Sequence, residues 1–419
     1  MGREVVWLLI SRALASLAQA VSLVLLARWS TVPEFGIVGA MLGLGMLVIA
    51  LADMGVGTYV LRAGAVPSIR GTVPVALRVN SISSLAILFA TTSIFVLVGQ
   101  IDPVFYALVP LAFWVVTEKN ADIWLNVAIS ERKSALAAVA ILVRRCAALA
   151  LFGVFVVVGI SPVLAFTSSL GVGGVIGLVV SRRIIDLQQF AANSATADIS
   201  AVSVIRSSFP YWIANLTSQV RNLDVSIVSI VSSPAAGGLY AAALRLTNPL
   251  LLVTGSLTSV LLPEASRRDR AGVLAINRKL IGVVLACAPV LFLIGWPLSY
   301  VGIWVLGDSY TDARLGLHVM FVSMFFVGIC PIVSSLLQAV GREKFVARNG
   351  MAFTPVVVAA IALGAYLGGA VGAAVGIGCA FFARFIGLEF GFAGLRGDTL
   401  LVRVDSSSKA VGVTRRVSG

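Results

Sequence analysis

The stretch TSQVRNLDVSIVSIVSS, residues 217 to 233, sets Arg221 and Asp224 three residues apart in an apolar run. That spacing places both on one face of a helix, where each lowers the cost of burying the other. Arg12, Lys119, Arg144, Arg145, Arg245 and Arg384 stand in equally apolar surroundings, with Glu118 and Asp122 beside Lys119 and Glu389 after Arg384. A basic group at the centre of a membrane helix costs about 2.5 to 3.5 kcal/mol, so each position calls for a reason. Glu118, Lys119 and Asp122 form a cluster that nearly neutralises itself, and Lys119 and Arg384 lie close enough to a helix end to snorkel. Arg12, Arg144, Arg145, Arg221 and Arg245 outnumber the acids near them. A water-filled cavity that receives an anion would relieve that surplus, so the chemistry expected is electrostatic binding and not bond-making.

Catalytic readings lack their parts. His318 is the only histidine, and Cys146, Cys287, Cys330 and Cys379 are scattered singly, so neither a zinc site nor a Ser-His-Asp triad is expected. No GxxxxGK[ST], HExxH or DxD pattern occurs. The expectation is a protein that is not an enzyme, with no catalytic residues, no metal and no cofactor. Asp53 ends an apolar run just before GVGTYVLR; a helix-end acid is its main reading, with gating or pairing to Arg62 as others.

The elements that must hold these charges follow from hydropathy. Of the 419 residues 59% are hydrophobic and 12% charged, and the mean hydropathy is +1.02, outside the range of soluble domains. Apolar runs of about 20 residues match a hydrocarbon core of roughly 30 Å. Twelve spans are expected, near 5–27, 36–58, 77–99, 104–128, 135–159, 161–181, 209–232, 236–262, 277–297, 315–338, 347–367 and 370–393. The first reads as a retained helix, because it is longer than a secretory signal and no cleavage site follows. Basic residues outside the spans fall on alternate connections, leaving only Arg28 and Arg314 on the other side. With positive charge retained inside, both termini are cytoplasmic, and the net charge of +13 is mostly topology against anionic lipid; nucleic acid is not needed to explain it.

The fold class is therefore all-α: a polytopic membrane protein of about 12 transmembrane helices in two six-helix bundles. The expected division is an N-terminal lobe over residues 1–190, a cytoplasmic linker over 191–208, a C-terminal lobe over 209–394 and a basic tail over 395–419. An internal echo supports two parallel repeats: VPEFGIVGA (32–40) and SPAAGGLYAAA (233–243) each place Pro, then Gly three residues on, between the first and second helices of a lobe. Small-residue pairs in GAMLG, GGVIG and GAAVG read as helix packing.

Two helix pairs resemble the polysaccharide-export flippases, a branch of the superfamily that also holds lipid II flippases and multidrug exporters. They are LARWSTVPEFG with DMG at the second helix end, and DVSIVSIVSSPAAGGLYAAALR running to LLPEASR. The resemblance spans nearly the whole chain through diffuse motifs. It implies two bundles facing each other in a V, the first and seventh helices lining a central cleft, and a cell (inner or plasma) membrane location of bacterial type. The cargo it implies is a polyprenyl-pyrophosphate-linked oligosaccharide, moved head first from inner to outer leaflet for surface polysaccharide synthesis. Enzymes of polysaccharide assembly and membrane lipid are the partners such a role involves. Arg12 and Arg221, on the first and seventh helices, lead as head-group contacts, followed by Arg245 and Arg145; Asp224, Asp53 and Lys119 are supporting or gating residues. Many relatives have fourteen spans, and twelve fits the polysaccharide or multidrug branches better. With no nucleotide-binding motif, the drive is a gradient or the membrane potential, which gives an outgoing anion about 2.3 kcal/mol per charge per 100 mV. A drug and cation antiporter of the same architecture is the alternative, although it would need a net acidic cavity. A membrane oligosaccharide polymerase or ligase is a more distant one, because no sizeable external loop exists.

Overall fold

The computed structural model describes residues 2–131, 133–184, 200–251 and 268–413, with 254, 257, 258 and 265 between them. Among the described residues the protein is helical, with no strand. Its helices are α1 (Gly2–Trp29), α2 (Val32–Asp53), α3 (Val56–Ala65), α4 (Val73–Gly99), α5 (Pro110–Ser130), α6 (Ser134–Val157), α7 (Pro162–Arg183), α8 (Ala201–Gln219), α9 (Asp224–Val231), α10 (Pro234–Thr247), α11 (Arg270–Leu306), α12 (Ala313–Ala339) and α13 (Glu343–Val413). Seven of the described helical stretches are long and apolar enough to cross a membrane.

Helix boundaries follow local chemistry. Thr31 and Glu34 form a capping box at the start of α2, with the Thr31 N–H donating to Glu34 Oε2 at 2.8 Å. Ser233 caps α10 by accepting from the Ala236 N–H at 3.1 Å. Pro33 and Pro234 stand in the first turns of these two helices, where a missing N–H costs nothing. The span expected over 36–58 divides between α2 and α3 at Met54 and Gly55, both left-handed with φ of 47° and 75°. The final pair, expected as 347–367 and 370–393, is one helical run bent back at Gly368 and Gly369, and the α13 label covers both halves. Those halves touch closely: a Cβ on Gly364 would lie 2.2 Å from the Gly372 carbonyl oxygen.

One expected span differs in kind. Residues 209–232 do not form a continuous helix; α8 ends at Gln219, a 3₁₀ turn covers Val220–Leu223, and α9 starts afresh at Asp224. Asp224 accepts the Val225 N–H on its Oδ1 at 2.7 Å, and Asn222 bonds Gln219 across the turn. In addition, α8 already begins at Ala201, inside the segment expected as linker.

α1 packs on α6, α5 on α4 and α7, and α6 on α7; further along the chain, α10 packs on α12, α11 on α12, α12 on α13, and α9 on α10 and α13. The two groups meet along α2, which lies against α9 and α10, while α8 crosses onto α2 and α3. This seam is made by glycine. A Cβ on Gly36 would lie 2.0 Å from the Pro234 carbonyl oxygen, and one on Gly238 would lie 2.1 Å from that of Val32. The residues of the internal echo thus pack against each other, backbone to backbone. Ser226 Oγ fastens the same seam by donating to the Ala40 carbonyl at 2.8 Å.

Candidate functional site

A polar cavity of about 200 Å³ lies where the seam opens. Its walls come from α1, α2, α5 and α6 on one side, and from the 220–223 turn, α9, α10, α12 and α13 on the other. Two arginines face it from opposite walls, Arg145 of α6 and Arg245 of α10, together with Asp224, Asn222, Asn248 and Gln19. Asp224 is buried, accepts from the Val225 N–H, and lies 3.4 Å from the Tyr240 hydroxyl, which donates to its Oδ2. Arg245, half-buried, also feels the Asp224 charge.

The Arg145 wall is built on an ionic cluster around the buried Glu118 and Arg144. Glu118 and Asp122, four residues apart, share one face of α5 and meet consecutive arginines of α6. Arg145 Nη2 donates to Glu118 Oε1 at 2.5 Å; Arg144 Nη2 lies 3.3 Å from the same oxygen and 3.0 Å from Asp122 Oδ1. The expected cluster of Glu118, Lys119 and Asp122 is therefore corrected: the two acids serve α6, and Lys119, one helix position round from Glu118, faces α4. There its ammonium donates to Ser83 Oγ at 2.6 Å, the Asn80 carbonyl at 3.1 Å and Ser84 Oγ at 3.2 Å. It is 2% exposed, so it does not snorkel. Arg144 likewise leaves the unpaired surplus, because its two carboxylate partners and its burial make it part of the helix packing.

The remaining expected residues are placed as follows. Arg12 lies within α1 and Arg221 within the 220–223 turn, but both side chains fall outside the described residues. Asp53 closes α2 and accepts from the Gly57 N–H at 3.0 and 3.3 Å, bridging the left-handed break to α3. That is the helix-end role; Arg62 donates instead to the Tyr211 hydroxyl at 2.8 Å. His318 is buried in the second turn of α12, its ring centroid 4.7 Å from Phe292 and 5.4 Å from Trp296. Glu389 accepts from Asn277 at 2.8 Å, and the Arg384 guanidinium stands 5.8 Å from the centre of the Phe381 ring.

Some contributors were not singled out from sequence. Asn80, Ser83 and Ser84, at i, i+3 and i+4 of α4, make a polar stripe in an apolar span, and Asn80 Nδ2 donates to Asn120 Oδ1 at 2.8 Å. That stripe was visible. Asn222, Asn248 and Gln19 carried no comparable signal, since only the folded seam gathers them.

No protein-family profile matches the sequence, and no curated protein matches it significantly. Solved structures do share the fold. A multidrug resistance MATE family transporter of the MOP superfamily, in an inward-facing conformation, superposes with a TM-score of 0.71 at 14% identity, covering 91% of this chain and 95% of that one. The protein has a MATE-like all-helical fold. An outward-facing conformation of a MATE family transporter gives 0.57 at 15% identity over 94% of each chain. A MOP superfamily transporter from Pyrococcus furiosus Vc1 (DSM3638), described as having a binding pocket of reverse polarity, gives 0.60 at 16% identity, over 93% of this chain and 94% of that one.

Proposed function

We propose that the protein is a secondary transporter that flips a polyprenyl-pyrophosphate-linked oligosaccharide from the inner to the outer leaflet, by alternating access around the central cavity. One observation carries this reading: Arg145 and Arg245 face the cavity from opposite walls, so a pyrophosphate seated there would bridge the two helix groups. Guanidinium forks match phosphate oxygens in pairs, which gives the arginines geometry as well as charge. Asparagine and glutamine side chains around them suit sugar hydroxyls, and the prenyl tail would remain in lipid. A neighbour in the same fold is described by a binding pocket of reverse polarity that suggests a different function, so pocket polarity is not constant within this architecture.

The test is translocation in proteoliposomes of a lipid-linked oligosaccharide labelled on its sugar. Digestion of inner-leaflet label by an impermeant external glycosidase, lost in Arg145→Gln and Arg245→Gln proteins of unchanged abundance, is the expected result. A multidrug and cation antiporter is the second reading, favoured by the MATE transporters that share the fold and by Asp224 in the cavity. Extrusion of a cationic dye that is abolished by Asp224→Asn would establish it in place of the first.

A further inference from the structure

Arg145 reaches the cavity, yet its guanidinium is turned back onto Glu118 of α5. The oxygen it touches, Oε1, is the one that Arg144 also approaches, at 3.3 Å. The two arginines are held very differently. The stem of Arg144 is wedged against α7, where a Cβ on Gly177 would lie 2.7 Å from its Cδ, and its head is also bonded to Asp122. Arg145 has no such second carboxylate; Glu118 is its one described acidic partner, and its other side is the cavity. Consecutive helix positions point about 100° apart. One arginine is therefore fixed in the packing, and its neighbour stands between a carboxylate and an open polar space.

We propose that Glu118 is a resident counter-anion for Arg145 that the cargo displaces. This rests on the anionic reading of the cavity. An arriving pyrophosphate draws Arg145 away from Glu118 and takes the guanidinium's paired donors; Glu118 then belongs to Arg144 alone, already within 3.3 Å of it. No proton moves, and Glu118 keeps a cationic partner throughout, so the exchange avoids leaving a buried charge uncompensated. Reversal is built in. When the cavity reorients and the anion is to leave, Glu118 competes for Arg145 and lowers the hold on the cargo. Glu118 is thus a positioning residue: acting through Arg145, it sets how tightly the anion is bound and how readily it is released.

The experiment measures inorganic pyrophosphate binding by calorimetry, using the full chain in nanodiscs, for the wild type, Glu118→Gln, Arg145→Gln and the double variant. Removing the competitor is expected to tighten binding roughly tenfold or more, the scale of one charge-assisted hydrogen bond. The double variant should match Arg145→Gln alone, which a merely structural role for Glu118 would not produce. Glu118→Asp keeps the charge but shortens the reach, so it should tighten binding by less and lose that gain in the Arg145→Gln background; it serves if the Gln variant does not fold. In transport, Glu118→Gln should slow release while the cargo is held more tightly. Unchanged or weaker pyrophosphate binding in both Glu118 variants, or an equal gain without Arg145, overturns the exchange and leaves the anionic cavity standing. A wild type that does not bind pyrophosphate, or whose binding ignores both Arg145→Gln and Arg245→Gln, overturns the cavity reading and the exchange with it.

Discussion

Replacing Gly36 with alanine tests whether the seam between α2 and α10 separates during the work of the protein. A Cβ at this position would lie 2.0 Å from the Pro234 carbonyl oxygen and 2.6 Å from the Gly238 nitrogen. Both obstacles are backbone, so no side chain can swing aside. Reaching an ordinary contact near 3.5 Å requires the helices to part by about 1.5 Å at this point. Overpacking of this kind costs about 1 to 3 kcal/mol, which shifts a two-state balance roughly 5- to 150-fold. The cost falls only on conformations in which the seam is shut. A transporter should therefore move toward a state open at the Thr31 end, whereas a static bundle should simply lose stability. Spin labels at Ser30 and Ser232, on the turns flanking the seam, report the difference by pulsed electron resonance in a background without the four cysteines. Gly36→Ala is expected to populate a longer distance, and Gly153→Ala, whose Cβ would meet nothing within 4 Å, should not. An unchanged distance distribution accompanied by a lower melting temperature would refute the idea that this seam opens.

Three further outcomes follow from the site. Arg245→Gln should weaken pyrophosphate binding by about tenfold or more, with Arg245→Lys restoring part of it because the charge returns without the fork; calorimetry at fixed salt checks this. Arg144→Gln takes the cation from Asp122 and leaves Glu118 with Arg145 alone, and should cost about 1 to 3 kcal/mol, seen as a lower melting temperature and reduced abundance in the membrane. Lys119→Met removes the donor to the Asn80 carbonyl and to Ser83 and Ser84, and should lower stability by about 1 to 3 kcal/mol while pyrophosphate affinity is kept.

Most of the helix plan was legible in the sequence, because a membrane leaves few alternatives. Every backbone group in hydrocarbon must be bonded internally, so a long apolar run is a helix and Gly-Gly at 368–369 is a turn. Helix starts were equally local: Thr31 with Glu34 and Ser233 ahead of Pro234 carry their caps within four residues. RNLD was misjudged for a related reason. Its three-residue spacing suits a helix face, but its side chains can also satisfy the backbone nearby, and the choice of a 3₁₀ turn depends on what packs around it.

The charges divide along the same line. The order of residues alone put charged side chains into apolar runs, with basic ones in excess of acidic ones. Which of them remain available was decided by tertiary structure. Arg144 and Arg145 are adjacent in the chain and identical in type, yet α7 and Asp122 fix one while the other looks into the cavity. Lys119 and Glu118 are also adjacent, and they face different helices. Sequence fixes the order of side chains around a helix, but the partner each meets depends on how the helix is rotated against its neighbours. That rotation is set by close contacts such as Gly177 with Arg144 and Gly36 with Pro234, which only the assembled bundle contains.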